Sequence, residues 1–372
     1  MSTQLCFSCF RQQLIDAINS CSRAISPKTN IPALSGILLQ ANGDRLNLTA
    51  YDLEFAIKTG IDIVSSADGS VIIPFKIFSD ILRRMSGDRV EIKIDEKNIA
   101  SLKCGDTETD VSCIKADEYP ELPQIVEDNS LSLKGDVFKN MIRQTIFCVS
   151  QTEIRPVNMG VFFQMENKQL KMVALDGFRL ALKKCEIDNP DTYEFIVPGK
   201  SLSEVSRLIP DSDEEIKICV GRRHSIFTAG NYTLITRLIE GEFFDYNKII
   251  SPDYSTRVVV NVRTLLNSVE LASLIVDERV RTPLPCLFEN NSCVIKFATS
   301  IGKISDIVPC SVEGERIRIG VNNRYLIDAL SNSEVDEVAI EMNDPLRPIK
   351  IKPAQGDDFL FIILPIKMEE NW

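Results

Sequence analysis

The sequence predicts an α+β chain in which one motif, two helices packed on antiparallel sheet, is repeated three times. Three observations carry this. Displaced by about 124 residues, "GILLQANGDRLNLTAYDLEFA" (Gly36 to Ala56) falls on "GVFFQMENKQLKMVALDGFRL" (Gly160 to Leu180), with Gly36 on Gly160, Gln40 on Gln164, Leu46 on Leu170 and Asp52 on Asp176. Self-similarity at a fixed period marks a repeat architecture. Within a copy, "ILLQANGDRLNLTAYDLEFAIKTG" alternates and turns as antiparallel strands do, and Phe78, Ile81, Leu82 and Met85 then fall at i, i+3, i+4 and i+7, one apolar stripe of a helix.

The elements follow in order along each copy. The same displacement carries "VIIPFKIFSDILRRM" onto "EFIVPGKSLSEVSRL", setting Pro74 on Pro198 and Lys76 on Lys200, and a second displacement reaches Arg324 in "IRIGVNNRYLIDALS". Ile92, Ile216 and Ile340 also align, in segments such as "RVEIKID" that return to strand period. Three periods span the 372 residues, with boundaries expected in the loops "ELPQIVEDNS" and "IISPDYSTR" and domains of residues 1–125, 126–250 and 251–372. The run "VALDGFRLALKK" (Val173 to Lys184) holds an Asp-Gly turn signal between apolar runs. "AYDLEFA" and "ATSIGKI" occupy that place in the other copies, so the turn belongs to the repeat, and only the middle copy adds Gly177-Phe178-Arg179.

Composition narrows the function. Hydrophobic residues make up 44% and charged residues 26%, as in a globular protein. No apolar run approaches the roughly 20 residues of a membrane span, and "MSTQLCFSCF" lacks the regions of a signal peptide, so a cytoplasmic protein is expected. Eleven scattered cysteines suit buried thiols in a reducing compartment, and the Cys6/Cys9 pair has no second pair or histidine cluster beside it. The single histidine, His224, reads as a strand-end surface residue and leaves little room for triad catalysis or a multi-histidine metal site. There is no Walker A, GxGxxG, HExxH or GxSxG motif, and "DSDEE" at Asp211 to Glu215 reads as a loop from helix to strand. No catalytic residue, metal or cofactor is expected.

The formal net charge is −11, yet the bases recur at equivalent places. Lys76 and Arg83 are seven residues apart and share a helix face opposite the apolar stripe; Lys200 and Arg207 repeat them, and Arg324 keeps the first of the pair. The first helices of the copies add Arg23 and Lys28, then Lys139 and Arg143. Charges opposite an apolar stripe are on any one helix its solvated face. Recurrence under a pseudo-symmetry turns them toward one region, which is the footprint of contact with phosphate backbone and not of base reading.

The threefold repeat, "IPFKIFSDILR", "VPGKSLSEVSRLI", "ALDGFRLALKK", "EGEFFDYNKIIS" and the terminal "FIILPIKM" together resemble the bacterial DNA polymerase III β subunits, the sliding clamps, over essentially the whole chain. The resemblance implies a homodimeric head-to-tail ring of six clamp-type domains around double-stranded DNA, without catalysis. It implies as partners the replicative DNA polymerase catalytic subunit, an ATP-driven clamp loader and other clamp-binding-motif proteins, with no membrane. A divergent clamp paralogue that acts mainly as a docking scaffold with weak DNA retention is the other reading.

By the same resemblance, Thr109 and Val111 on the first copy's edge strand meet Leu274 and Ile275 of the third copy across the dimer interface. A peptide-binding pocket is implied at Leu175, Gly177, Phe178, Arg179 and Leu180, at Phe244, Lys248 and Ile249, and at Ile362, Ile363, Leu364, Pro365, Ile366, Lys367 and Met368. Phe178 stands where the family commonly has His or Tyr, Phe244 where it has Pro, and Asn158 where an apolar residue is usual. The pocket is therefore expected in altered form, with the extra tail Glu369 to Trp372 beyond it.

Overall fold

The computed structural model describes residues 3–26, 28–124, 129–210, 212–276 and 282–368. The expected first boundary near 125, Asp211 of the acidic loop and the tail Glu369 to Trp372 lie outside the described residues. Among the described residues six longer helices, α1 (Arg11–Cys21), α2 (Phe75–Arg84), α3 (Gly135–Ile146), α4 (Gly199–Leu208), α5 (Val262–Ser273) and α6 (Asn323–Ser331), come two to a copy. The repeat is visible element by element. Strands begin at Gly36, Gly160 and Leu284, then at Phe55, Arg179 and Lys303, and the second helices begin at Phe75, Gly199 and Asn323. No helix among the described residues is long and apolar enough to cross a membrane.

Two compact units divide the chain: Met1–Phe138 with Lys200–Leu238, and Lys139–Gly199 with Ile239–Trp372. The division cuts through the central copy because its strands hydrogen-bond outward in two directions. In the first unit a nine-stranded sheet joins Gly36–Asn42, Arg45–Tyr51 and Phe55–Asp62 of the first copy to Tyr232–Arg237, His224–Ala229 and Glu215–Val220 of the central one. The seam is the antiparallel pair of Phe55 with Thr236 through Lys58 with Thr233. The first unit also holds a five-stranded sheet that ends on the edge strand Thr107–Ser112.

In the second unit, a twelve-stranded sheet joins Gly160–Glu166, Gln169–Leu175 and Arg179–Glu186 of the central copy to Phe359–Ile363, Ile349–Pro353 and Glu337–Met342 of the third. The seam there is Arg179 with Ile363 through Lys183 with Phe359. These strands are buried on both faces, Met172 and Ala174 on one and Val173 and Leu175 on the other. Phe78, Leu82 and Met85 of the α2 region are buried as the stripe predicts. Ile81 is the exception: it is half-buried and lines a groove of about 560 Å³ with Lys76, Ile77, Asp80 and Arg84.

His224 opens a strand and is half-buried; burial is the main cause that lowers its pKa, with Arg237 adding to it. Cys6 and Cys9 lie in the strand Thr3–Phe10, both buried and unbridged. Burial pushes the Cys9 thiol up to about 12, which makes it inert at neutral pH.

Candidate functional site

The hairpin Gln169–Leu175 and Arg179–Glu186 turns through Asp176 to Arg179. Gly177 takes φ +94°, where a side chain would be strained, at the position that a two-residue hairpin turn gives to glycine. Asp176 Oδ1 accepts from the backbone N–H of Phe178 at 2.9 Å and of Arg179 at 3.1 Å, so the turn is held by its own first residue. That leaves Phe178 pointing outward and 50% exposed, while Leu175 and Leu180 are buried.

Arg179 leaves the turn in the other direction. Its Nε donates to Asp176 Oδ2 at 2.9 Å, its Nη1 donates to Asp328 on α6, and its guanidinium lies 4.4 Å from the ring centre of Tyr325 and 5.7 Å from that of Phe147. Burial works against the charged form, but the hydrogen bonds that Arg179 donates to Asp328 and Asp176 outweigh it, and the pKa stands above its ordinary value. Arg179 is thus a fixed cation on an aromatic bed, with its geometry set by groups of this chain. The neighbouring Cys148 thiol is fully buried and pushed well up by that burial.

The C-terminal segment supplies the other wall. After the strand Phe359–Ile363, the Leu364 N–H donates to the Phe178 carbonyl at 2.9 Å, and the Ile366 N–H donates to the Gly320 carbonyl at 2.8 Å. Gly320 is required there: a Cβ would stand 2.6 Å from the Ile366 carbonyl oxygen and 2.7 Å from Met368. Ile362 and Ile363 are buried and Leu364 is 38% exposed; Pro365, Ile366 and Met368 are half-buried and Lys367 is exposed.

Beneath lies one apolar cluster of Phe162, Val173, Leu175, Leu180, Leu182, Ile196, Phe243, Tyr246 and Ile362, with Ile249 packed against it. Phe162 and Phe243 stack at 4.7 Å, and the Tyr246 hydroxyl reaches Gln164 at 2.6 Å. Burial is the main cause that pushes that hydroxyl up to about 12. Phe244 is exposed beside Phe243, Lys248 pairs with Asp245 at 3.4 Å on the surface, and Asn158 is buried in a short 3-10 turn. Of the predicted pocket residues, Leu175, Leu180 and Ile362 meet in this cluster with Ile249 packed on it, Phe178 and Leu364 stand exposed and joined by a backbone hydrogen bond, and Ile366 and Met368 lie against Gly320 instead. The sequence reading missed Asp328, Tyr325, Phe147 and Gly320. The 124-residue displacement held a clue to the first, since Asp328 is the counterpart of Glu204, which also binds arginine.

Glu204 matters for the basic faces. Arg23 donates to Glu204 Oε2 at 2.9 Å, and Arg207 donates to Oε1 of the same carboxylate at 2.7 Å. Arg83 donates to Asn19 at 2.7 Å, and Arg143 meets Glu334. Lys76, Lys200 and Arg324 are exposed, and Lys139 is half-buried. Arg23 and Lys28 do not lie on the first helix as expected. α1 ends at Cys21, Arg23 sits in the following 3-10 turn and Lys28 lies in the loop after it. Acidic partners reduce the positive field of these faces below what the sequence count suggests.

Of the expected interface residues, Thr109 and Val111 lie on the edge strand Thr107–Ser112, with Val111 buried against its own sheet. Leu274 is 76% exposed just past α5, and Ile275 packs near Gly302, which precedes the strand Lys303–Gly314.

Family models for the N-terminal, central and C-terminal domains of the DNA polymerase III beta subunit match residues 5–123, 132–245 and 247–367. The chain belongs to the DNA polymerase III beta subunit family, the beta sliding clamps. It is 31% identical to the beta sliding clamp of Bacillus subtilis strain 168 over 375 residues, which cover 97% of this chain and 99% of the relative. It is 33% identical to that of Staphylococcus epidermidis over 373 residues, with the same coverage.

The solved sliding clamp of Bacillus subtilis matches with a TM-score of 0.95 at 29% identity, covering 98% of this chain and 100% of that one. The beta subunit of Streptococcus pyogenes DNA polymerase matches with 0.94 at 27% identity and the same coverage. The fold is the three-domain clamp fold.

Proposed function

We propose that this clamp closes head to tail with a second copy into a six-domain ring around duplex DNA. Through the Phe178/Leu364 pocket it holds a replicative polymerase and other proteins that carry a short apolar motif. One observation supports closure above the rest: the pairing rule that joins the copies is left open at both ends of the chain. Tyr232–Arg237 of the central copy pairs with Phe55–Asp62 of the first, and Phe359–Ile363 of the third pairs with Arg179–Glu186 of the central.

The remaining members of the two series are Thr107–Ser112 and Lys303–Gly314. Among the described residues, the first pairs only with Ile99–Cys104. The second pairs with Ser292–Ala298 over its first half, 303–309, and with Thr256–Asn261 only beyond it, so the first half has a free edge. Two free edges that are equivalent by the repeat but lie on one chain satisfy each other between two copies. This interface is heterologous and closes into a ring. Continuing the register places Ser112 of one copy opposite Lys303 of the other, and Thr109 opposite Asp306.

Inside such a ring, Lys76, Arg83, Lys139, Arg143, Lys200, Arg207, Arg324 and the Arg23/Lys28 segment attract phosphates without reading bases. The net charge of −11 discourages DNA elsewhere on the surface. A ring that must slide needs this weak, sequence-independent attraction. No bond is made or broken by the clamp; the chemistry belongs to the polymerase that it tethers, and an ATP-driven loader opens the ring.

Closure predicts a solution mass of twice 41.8 kDa and a covalent dimer when Thr109→Cys and Asp306→Cys are joined by a short thiol crosslinker. A single-chain mass with no crosslink would refute the ring. Loaded protein should stay on circular DNA and leave once it is linearised; failure to remain on circles would reduce the protein to a docking scaffold.

A further inference from the structure

Beside the apolar floor, on the same face of the twelve-stranded sheet, is a second cavity of about 320 Å³. Its floor is apolar, from Leu182, Tyr246, Ile250 and Leu360, residues that belong to or pack on the cluster beneath the docking pocket. Its rim carries Lys171, Lys184 and Lys352 against one carboxylate, Asp357, which pairs with Lys184. In a chain of net charge −11 this is a local inversion of sign.

Two features show that the inversion is not demanded by the fold. Lys171 and Lys184 stand directly opposite each other on adjacent strands, an arrangement in which like charges repel and destabilise the sheet. Lys171 has no ion pair among the described residues. At the equivalent place in the first copy the cross-strand pair is Asn47 with Gly60, so the repeat tolerates uncharged residues there. Lys352 shares its counter-ion: Glu341 receives Lys352 at 2.5 Å, Lys350 at 3.1 Å and Arg257 at 3.9 Å, three cations on one carboxylate. Positive charge is left over on both sides of an apolar trough.

We infer that this cavity receives an acidic stretch flanking the apolar motif of a docking peptide, with Lys171, Lys184 and Lys352 as its specificity-determining contacts. The inference rests on the docking reading above. Leu180 lies at the docking pocket and Lys184 four residues along the same strand, about 13 Å away at strand rise. An extended peptide therefore spans the two sites with about four residues. Occupancy by carboxylates relieves the lysine repulsion, and the partly enclosed setting lessens its screening by salt.

Binding of fluorescein-labelled Leu-Ser-Leu-Ser-Phe to the full chain, measured by anisotropy, tests this against the same peptide with four aspartates at either end. One of the two extensions is expected to bind about tenfold tighter than the bare peptide, the equivalent of a few modest charge pairs, with the gain shrinking as salt rises. Lys171→Gln, alone and with Lys184→Gln, should remove the gain while leaving bare-peptide affinity unchanged. If the bare peptide binds and neither extension improves on it, or the gain survives in the double variant, the acidic-flank inference is overturned and the docking reading stands. If no peptide binds, the docking reading falls and takes this inference with it.

Discussion

The turns at Asp52 to Phe55 and at Asp176 to Arg179 have the same backbone plan and opposite surfaces. In both, an aspartate carboxylate oxygen accepts from the N–H groups two and three residues on, and the aspartate N–H donates to the carbonyl three residues on, at 3.1 Å and 3.3 Å. In both, the strand from the next copy ends with one further hydrogen bond into the turn: Arg237 N–H to the Glu54 carbonyl at 2.8 Å, and Leu364 N–H to the Phe178 carbonyl at 2.9 Å. The side chains on those four residues differ. Glu54 and Arg237 form an exposed ion pair at 3.5 Å, whereas Phe178 and Leu364 are apolar and open to solvent.

The first turn even adopts the strained backbone without glycine, Leu53 at φ +77° in the place of Gly177. The fold thus decides where a turn and a neighbouring strand end converge. Residue chemistry decides whether that place is solvated or ready to bind an apolar side chain.

The largest expected effect comes from transplanting one surface onto the other. Phe178→Glu with Leu364→Arg copies the first turn's pair and should weaken peptide docking by roughly 30-fold or more, the scale of losing one apolar hot-spot residue. Dimer mass should be unchanged; unchanged docking would show that the exposed apolar pair is no anchor. Asp328→Ala sharpens the comparison more gently, because Arg179 keeps Asp176 and Tyr325. Urea unfolding should report a loss of about 1 kcal/mol, below the full value of a buried charged hydrogen bond since Asp328 is partly exposed. A loss as large as a buried pair's would mean that Asp176 contributes little.

The smallest effect runs in the stabilising direction. Lys171→Glu replaces the like-charged pair of the central copy with an attractive one and should raise stability by about 0.2–1 kcal/mol. Destabilisation would show that the lysine repulsion is already relieved in the free protein.

Much of this was legible beforehand because it is local. The stripe Phe78, Leu82 and Met85 and the Asp176-Gly177 turn follow from helix and turn chemistry within a few residues. The alignment of Lys76, Lys200 and Arg324 needs only the period. What was not legible involves partners distant in sequence. Glu204 takes up Arg23 from 181 residues away, and Asp328 takes up Arg179 from 149 residues away. Ile81 fits the stripe by spacing yet faces a groove, since spacing names a helix face but not what covers it.

The sequence by itself determined the threefold repeat, the elements in each copy, the turn at Asp176 and the membership in the clamp family, because periodicity and turn chemistry act over short stretches of chain. Only the tertiary structure decided that the sheets run across the copy boundaries, that the edges of Thr107–Ser112 and of the first half of Lys303–Gly314 have no strand partner among the described residues, and that Lys171, Lys184 and Lys352 share one cavity. Strand pairing and charge neutralisation are settled by which distant segments meet, and the local pattern fixes only which face each residue shows.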